Sequence, residues 1–575
     1  MRVNLAVHKY QGNNYSPNGH KYIRSFEWKS FPTTIYNVGG VVLQKEIHFR
    51  RSESRVIIRY TLLDAHSATT LRLSPFLAYR SVRTFTHKND AYCKTKTQVK
   101  NGIKMKMYEG YPDIYMQTNK KSTFVEVDDW YMGLDYPRER ERGYESNEDL
   151  YHPGYFEMSI KKGETVCFSA GVSEIQPNQL KHIMDVDATN TEPMDSFYNC
   201  LYHAAHQFRL HKNNENYIIA GYPWFKCRAR DFFISMPGLT LSLGETDTFE
   251  LYMNTASKAL MSIVDDTPGE VEIYETEQPD IILWALWCLQ QYYKIVSHRR
   301  AIELYGDLIR KLMTFVLCNK HKNLSLQDNG LLYSVGHDKP ITWMNSVHNG
   351  QPIVPRSGFI VEFNALWYNA LRFYSDILLE CKEEDEAKNV MVLAEKVQRS
   401  FQYVFVNDYG YLYDYVDGQM VSWEVRPNMI FAVALDYSPL TREQQKRTLD
   451  ICTKELLTRK GLRSLSPKSG GYRPIYVGNQ WERDSAYHQG TAWPWLTGFY
   501  LEAYLKVNKM SGMSFIERQL VTFEEELFYH DLGSIPELFD GNPPFHGRGA
   551  VSFAMNVASI LRAIRLLDNI NQTNQ

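Results

Sequence analysis

Connections of two lengths alternate along the C-terminal two-thirds of the chain, and this alternation constrains the fold most. Apolar residues recur with a helical period in twelve segments, each of which predicts a helix. The segments are 196–208, 231–240, 247–262, 278–298, 301–318, 361–380, 386–402, 427–437, 442–457, 487–508, 514–529 and 550–567. Every second connection is short, about 2–6 residues, which is typical of antiparallel helix neighbours. The connections between those are long and rich in Gly, Pro and aromatic residues.

Alternate connections in a series of antiparallel helical hairpins lie at the same end of the bundle. Six repeats of short and long therefore predict six hairpins in an all-α (α/α)6 toroid over residues 196–570, with every long connection on one rim. Long, structured loops on a rigid scaffold are where binding and catalysis concentrate. The pattern thus predicts the location of a functional site before any motif is considered.

The first third of the chain has β-strand periodicity and predicts an antiparallel β-sandwich over residues 1–178. Apolar and polar residues alternate at 103–107 and 156–160, as expected for half-buried strands joined by short turns. Further predicted strands are 41–49, 55–63 and 69–77. The mixed-sign segment 137–149 predicts a solvated loop, and the polar segment 179–195 predicts a linker to the toroid.

Composition excludes several functional classes. A net charge of −2 favours neither nucleic acid nor an acidic membrane as partner. The longest apolar run, 281–289, is too short to span a bilayer. The N-terminus has no signal-like apolar region, and the eight cysteines are scattered without a CxxC pair, so a reduced, cytoplasmic protein is expected. His203 and His206 share a helix face but have no third ligand nearby, so neither a metal nor a cofactor is predicted.

Acids, arginines and tryptophans recur on nearly every long connection. Aromatic residues make up 14% of the chain, which suits stacking on sugar faces as well as ordinary core packing. Glycoside hydrolysis needs two carboxyl groups that flank the scissile bond. Each acid alone has a structural explanation (Asp231 as a helix N-cap, for instance), so their shared location is the signal. The candidates are Trp224, Arg230, Asp231, Trp343, Asn345, Arg356, Glu362, Glu482, Arg483, Asp484, His488, Gln489, Trp493, Glu537 and Arg548.

Five ordered segments carry a family resemblance. They are AGYPWF…RD (220–231), TWMN…PRSGFIVEFNALWYNAL (342–371), VRPN (425–428), ERDSAYHQGTAWPW (482–495) and PELFDGNPP (536–544). From about residue 5 to 567 the chain resembles bacterial glycogen debranching enzymes of the amylo-α-1,6-glucosidase type. The resemblance implies a toroid related to glucoamylases, glycogen or a branched α-glucan as partner, and inverting hydrolysis of the α-1,6-linked glucose at a branch point. Relatives have more sandwich upstream, which predicts an incomplete sandwich here.

The resemblance also implies roles for individual residues. Glu537 matches the general base, and Arg230 and Asp231 match the pair that grips the terminal glucose. Matches to the pocket lining are Trp343, Arg356, Glu362, Arg483, Asp484, His488 and Gln489.

Three positions depart from the family pattern. Asn345 stands where relatives usually have an Asp, the expected general acid; Met429 replaces a Gln, and Ala229 replaces a Gly. An amide does not deliver a proton as a carboxylic acid does, and losing acid catalysis costs about 10²–10⁴-fold in rate. Asp338 and Glu482 are alternative proton donors by sequence position.

Three hypotheses follow from these observations. The first is an amylo-α-1,6-glucosidase with Glu537 as base and position 345 on the acid side. The second is a non-catalytic glucan-binding protein, for which Asn345 is the discriminating feature. The third is another toroid glucosidase, such as a trehalase or a glucoamylase.

Overall fold

The protein is described by a computed structural model that covers residues 2–529 and 533–573. The chain divides into two compact units, residues 1–199 and 200–575. The first unit is rich in strands and the second in helices. This organisation has the predicted fold class, an N-terminal antiparallel β-sandwich followed by an (α/α)6 toroid.

The first unit contains two antiparallel sheets. Its elements are β1 (Val7–Tyr10), β2 (Asn14–Asn18), β3 (Ile23–Trp28), β4 (Pro32–Val38), β5 (Val41–Arg50), β6 (Arg55–Asp64), β7 (Thr69–Leu73), β8 (Lys96–Val99), β9 (Gly102–Met105), β10 (Ile114–Thr118), β11 (Thr123–Asp135), α1 (Pro137–Glu141), β12 (Asn147–Ile160), β13 (Thr165–Gly171) and α2 (Leu180–Asn190). One sheet has the order β2-β1-β11-β12-β7, and the other has the order β3-β4-β5-β6-β13-β10-β9-β8.

The sandwich core lies between the two sheets. Leu62 and Val166 from the larger sheet pack in one cluster with Tyr151, Phe156 and Met158 from β12 of the smaller sheet. These side chains are no more than 5% exposed. The alternation of apolar and polar residues along each strand produces this arrangement, because successive side chains of a strand point to opposite faces.

Two segments of the first unit differ from the sequence prediction. The segment 179–195, predicted as a linker, contains helix α2, whose Leu180 and Met184 are fully buried in a second cluster with Phe31 and Ile57. Two apolar residues four positions apart share one helix face, which is enough to hold a largely polar helix against a sheet. The segment 137–149, predicted as a loop, contains α1 and the start of β12.

The helices of the second unit carry the toroid. They are α3 (Phe197–Phe208), α4 (Ala229–Leu239), α5 (Thr246–Val264), α6 (Ile281–Tyr293), α7 (His298–Leu317), α8 (Val361–Glu380), α9 (Glu384–Phe405), α10 (Phe431–Ala434), α11 (Arg442–Glu455), α12 (Gln480–Tyr487), α13 (Trp495–Asn508), α14 (Met513–Glu524), α15 (Glu526–Tyr529) and α16 (Ala554–Thr573).

Six of these helices form a closed inner ring. Helix α4 contacts α6, α6 contacts α8, α8 contacts α10, α10 contacts α13, α13 contacts α16, and α16 contacts α4. Every residue of α4 is buried, as is every residue of α6 except Gln291. Helices that are apolar on all sides belong inside a large core, whereas the outer helix α7 buries only the stripe that contains Tyr305, Leu312 and Val316.

The long connections meet on one rim of the ring. Each is joined to the next by a backbone pairing or hydrogen bond, and the last is joined to the first. The contacts, in order around the rim, are Arg228–Tyr274, Glu277–Asn323, Ile360–Tyr415, Val425–Ser466, Ala492–Phe539 and Tyr222–Ser552.

Short strands in these connections stiffen the rim. They are β14 (Arg209–Lys212), β15 (Glu215–Ile218), β16 (Gly221–Tyr222), β17 (Ser325–Leu326), β18 (Leu332–Ser334), β19 (Val347–His348), β20 (Gln351–Pro352), β21 (Gly358–Ile360), β22 (Tyr415–Asp417), β23 (Met420–Val421), β24 (Leu457–Thr458), β25 (Gly461–Arg463), β26 (Ala492–Trp493), β27 (Leu538–Phe539), β28 (Gly547–Arg548) and β29 (Ser552–Phe553).

One inner helix starts later than its periodicity predicts. The prediction is 487–508, whereas α13 begins at Trp495 and a separate short helix, α12, ends at Tyr487. Gly490 lies between them at a φ of +136°, a backbone conformation that L side chains rarely adopt. The chain turns there, so the residues just after Tyr487 face the rim instead of continuing the helix.

Candidate active site

Glu537 is a buried carboxyl on the last long connection of the rim. It precedes β27 and is 2% exposed. The Tyr487 hydroxyl donates to Oε1, and the Ala550 backbone N–H donates to Oε2 at 2.8 Å. Burial raises the pKa of Glu537 to about 7, against the opposing effects of these two donors and of the Arg228 guanidinium. A carboxyl with this pKa exchanges protons readily near neutral pH, as a general base must.

The surroundings fix the orientation of Glu537. Gly549 has a φ of +73°, and a Cβ at this position would overlap the Glu537 carboxylate. Only glycine leaves room for both the backbone turn and the side chain. Burial and the neighbouring carboxylate raise the pKa of Tyr487 well above its usual value, so its hydroxyl stays protonated and remains a donor.

Asp231 is a second buried acid in the electrostatic environment of Glu537. It lies in the first turn of α4 and is 5% exposed. Burial raises the pKa of Asp231, whereas the Arg228 and Arg230 guanidinium groups oppose the rise. Its negative charge raises the pKa of Glu537, and that of Glu275 acts on Asp231 in the same direction. Three carboxyls and one half-buried cation, Arg228, whose Nε lies 3.4 Å from Glu275 Oε1, therefore share this side of the site.

Arg230 is committed to a buried ion pair. Its Nε and Nη2 donate to the two carboxylate oxygens of Asp280 at 2.7 and 2.8 Å, and both side chains are enclosed. The Trp284 indole N–H donates to Asp280 Oδ2 at 3.1 Å. Arg230 therefore fixes the start of α4, and with it the position of Asp231, through a bidentate pair.

Arg356 and Glu362, which the sequence predicts as pocket lining, belong to an enclosed ion network. Arg356 donates to Glu362 Oε1 and, at 2.6 Å, to Oε2, and its Nε lies 2.7 Å from Asp414 Oδ2. All three side chains are 1–2% exposed. Burial raises the pKa of Glu362, and Arg356 counteracts the rise.

The same network orients Trp343. Asn428 donates through Nδ2 to Asp414 Oδ1 at 2.8 Å and accepts from the Trp343 indole N–H at 2.7 Å. A flipped amide would oppose donor to donor and acceptor to acceptor, so this amide orientation alone satisfies both bonds. The ion network thus holds an indole ring of the rim in place through one amide.

Aromatic rings form one wall of the site. Trp343 packs edge-on against His488, Trp493 and Trp495, each with ring centroids 5.2 Å apart, and His488 stacks on Trp493 at 5.3 Å. His488 is fully buried, and neither ring nitrogen has a hydrogen-bond partner in the described part of the chain. Burial lowers the pKa of His488 well below its usual value, so the ring is neutral.

Asn345 lies on a loop that is anchored on both sides. Trp343 is held by Asn428, and the Ser346 hydroxyl donates to the Asp484 backbone carbonyl at 2.7 Å. Asn345 itself is half-buried. Since Trp343 and Ser346 are fixed to different segments, the backbone of Asn345 between them is restrained.

The three consecutive candidates on helix α12 differ in their burial and in their hydrogen-bond partners. Glu482 is exposed and accepts the Asn479 N–H in a capping box, so the structure gives it a helix-capping role. Arg483 is buried and donates to the Gly478 carbonyl at 2.6 Å. Asp484 is half-buried and accepts two bonds from Gln480.

The remaining candidates lie around the same rim. Gln489 accepts from Arg426 at 2.7 Å, and Arg548 pairs with Asp540 at 2.9 Å. Trp224 is half-buried in the first long connection. Asp338, an alternative donor by sequence, is exposed. The structure therefore brings Glu537, Trp343, Asp484 and their neighbours together, while Glu482 and Asp338 lie in exposed positions.

Several residues of the site escaped the sequence prediction. Tyr487, Arg228, Asp280, Asp414 and Asn428 bond to or act electrostatically on the predicted residues. Tyr487 and Asn428 lie inside motifs that resemble the family, so their place in these motifs could have indicated them. Nothing in the sequence indicates Asp280 or Asp414, because the residues that they pair with are distant in sequence.

Among residues 2–529 and 533–573, no group of three potential ligands is arranged to hold a metal ion. In the same part of the chain, no helix has both the length and the apolar character needed to cross a bilayer.

Two sequence families and one curated protein match parts of this chain. Residues 199–562 match the sequence family described as amylo-alpha-1,6-glucosidase, and residues 1–167 match the family described as glycogen debranching enzyme N terminal. A glycogen debranching enzyme of Saccharomyces cerevisiae is 23% identical over 385 residues, which is 50% of this chain and 25% of that protein. The chain thus spans a quarter of this relative's length.

A solved structure shares the fold. A bacterial glucoamylase complexed with acarbose superposes with a TM-score of 0.56 at 13% identity, over 94% of this chain and 84% of that one. At this level of identity the likeness concerns the fold alone.

Proposed function

Because the chain belongs to the amylo-alpha-1,6-glucosidase family, a family of glycoside hydrolases, we propose that it hydrolyses α-1,6-linked glucose at branch points of a glycogen-like α-glucan. Inversion at the anomeric carbon is part of the proposal. The observation that supports it most is Glu537, a buried carboxyl with one donor on each oxygen and a pKa of about 7.

In the proposed reaction Glu537 acts as the general base. Its ionised carboxylate takes a proton from a water molecule, whose oxygen attacks the anomeric carbon of the terminal glucose. The bond from that carbon to the bridging oxygen breaks, and the bridging oxygen receives a proton. With a pKa near 7 the carboxyl is about half ionised at neutral pH. The carboxylate is then both abundant and basic enough to accept a proton from water.

Asp231 and Arg228 hold the terminal glucose in this proposal. A buried carboxylate accepts from sugar hydroxyls, and a guanidinium donates to them. Arg230 acts indirectly, since its donors are committed to Asp280 and it sets the position of Asp231.

The proton-donor side requires a separate assignment, because Asn345 carries an amide. We assign the donor to Asp484, whose backbone carbonyl accepts from Ser346, the neighbour of Asn345. Asp484 is half-buried, and its side chain accepts bonds from Gln480 alone among the described residues, so solvent and substrate have access to it. Asp484→Asn is expected to lower hydrolysis of the natural bond about 10²–10⁴-fold.

Phosphorylase limit dextrin tests the proposed reaction directly. The protein is expected to release free glucose from this substrate, and to release little from maltose or from α,α-trehalose. Preferential release from maltose would indicate a glucoamylase, and release from trehalose would indicate a trehalase. No glucose from any of the three, with folded protein, would contradict hydrolysis of natural glucosides.

A glucan-binding protein without hydrolysis is the second candidate, and Asn345 is the observation that favours it. α-D-Glucosyl fluoride separates the two candidates, because fluoride departs without a proton and needs the base alone. The hydrolase is expected to release fluoride, and Glu537→Gln is expected to stop the release. Binding of the glucan without fluoride release would support the second candidate.

A further inference from the structure

Four aromatic rings cluster on the fourth long connection of the rim. Tyr413 meets Trp423 edge-on with centroids 4.7 Å apart, Trp423 lies 6.1 Å from Tyr409, and Tyr409 is nearly parallel to Tyr411 at 6.4 Å. We call Tyr409, Tyr411, Tyr413 and Trp423 the aromatic platform. None of them belongs to the site described above.

Packing does not account for the exposure of the platform. Tyr409 is 76% exposed and Trp423 is 45% exposed. A ring that served only to pack the connection between Asn407 and Trp423 would lie inside it, as Leu412 does at 0% exposure. Contiguous exposed aromatic surface on a folded domain marks a site that a partner covers.

The platform is continuous with the active-site rim. Glu424 follows Trp423 and accepts from Arg426 at 2.7 Å. Arg426 in turn donates to the His488 carbonyl at 2.8 Å and to Gln489 at 2.7 Å. Three residues of chain therefore connect an exposed indole to Arg426, which bonds to the segment that bears His488, and this places the platform next to the active-site rim.

We propose that the aromatic platform binds glucose units of an α-glucan chain that extends outward from the catalytic pocket. The proposal rests on the proposed function for the identity of the sugar. The C–H faces of a pyranose are apolar and pack against aromatic faces, while hydroxyls at the ring edge stay hydrated or bond to the tyrosine hydroxyls. The platform thereby favours a polymeric glucan over a short one, because only a long chain spans both places.

Binding is measured without turnover. Native electrophoresis through gels that contain glycogen gives the retardation of each variant, and titration with maltoheptaose gives a dissociation constant from tryptophan fluorescence. Tyr409→Ala is expected to raise the dissociation constant for glycogen about threefold or more, and Tyr409→Ala with Trp423→Ala about tenfold or more. Circular dichroism and the melting temperature establish that each variant is folded.

Tyr403→Ala is the matched control. Tyr403 is 90% exposed on helix α9 and belongs to no ring cluster among the described residues, so its removal is expected to leave retardation unchanged. Equal retardation of wild type and a folded Tyr409→Ala, Trp423→Ala variant would overturn the proposal, as would absence of any binding by the wild type. Should the double variant unfold, the single variant Tyr409→Ala decides, because its ring is mostly in solvent.

The assay separates this proposal from the proposed function. Wild type that is retarded through the platform and releases no glucose from limit dextrin would support the platform and contradict the hydrolase. Release of glucose by the wild type, together with equal retardation of the wild type and the Tyr409→Ala, Trp423→Ala variant, would support the hydrolase and contradict the platform.

Discussion

Replacing Tyr487 with Phe removes the hydroxyl that donates to Glu537 Oε1 and leaves the ring against Trp493 and His488. A hydrogen bond to a charged group contributes about 1.5–3 kcal/mol. Since one pKa unit corresponds to about 1.36 kcal/mol, losing a bond that favours the carboxylate raises the pKa of Glu537 by about 1–2 units. Starting from about 7, the carboxyl of the variant then titrates at about 8–9.

The expected kinetic consequence has a definite sign. The base must be ionised, so activity is present above the pKa and is lost as pH falls through it. The acid limb of the kcat/KM profile is therefore expected to move up by about 1–2 pH units, with about 5–50-fold lower kcat/KM at pH 7 and recovery at higher pH. α-D-Glucosyl fluoride is the preferred substrate, because it reports on the base alone.

Tyr476→Phe is the matched control for this experiment. The Tyr476 ring lies 5.4 Å from that of Tyr487, and no hydrogen bond joins it to Glu537 among the described residues. Its removal is expected to move the acid limb by much less. An acid limb that stays in place in Tyr487→Phe, or that moves equally in both variants, would refute the assignment of Tyr487 as the residue that positions and ionises Glu537.

Three further predictions concern the same site. Asn345→Asp is expected to leave hydrolysis of limit dextrin within about threefold of the wild-type rate, because Asp484 already supplies the proton, and a rise of about tenfold or more would contradict the assignment of Asp484 as the donor. Gly549→Ala is expected to abolish hydrolysis, because the new Cβ would displace the Glu537 side chain. Gly244→Ala is the matched control: it has the same left-handed backbone strain of about 1–2 kcal/mol, but its Cβ would lie in open space, so this variant is expected to keep its activity. Equal activity of the two glycine variants would contradict this account.

The last of the three uses linkage. Because the folded pKa of Glu537 lies above its unfolded value of 4.5, the carboxyl destabilises the fold progressively from about pH 4.5 to pH 7. Glu537→Gln is therefore expected to stabilise the protein by roughly 3 kcal/mol at pH 8 and hardly at pH 4, as measured by denaturant unfolding. A gain that does not depend on pH would show that Glu537 titrates normally.

The fold was predictable from the sequence because it depends on repetition. Alternation of short and long connections needs no side-chain detail, and the ring closure from α16 back to α4 follows from six hairpins. The local exceptions depend on single residues. The turn at Gly490 delays the start of the helix predicted over 487–508, so that α13 begins at Trp495. Burial of Leu180 and Met184 makes the polar segment predicted as a linker fold into helix α2. Neither effect is visible in hydrophobicity averaged over a stretch of sequence, because one or two residues hardly change such an average.

The site was predictable only in part. Motifs located Glu537, Trp343 and Asp484 on the rim, since each lies in a segment with several unusual residues. They could not show that Arg356 and Glu362 are enclosed in one ion network, because that depends on Asp414, which is 52 residues beyond Glu362 by number. Nor could spacing reveal that Arg230 is committed to Asp280.

The stereochemistry of the first turnover tests the central claim most directly. Proton NMR of the glucose released from α-D-glucosyl fluoride, recorded before mutarotation, identifies the initial anomer. A single inward-facing base, Glu537, that activates water predicts β-glucose first, and no fluoride release from Glu537→Gln. α-Glucose as the first product, or undiminished turnover by Glu537→Gln, would contradict the account.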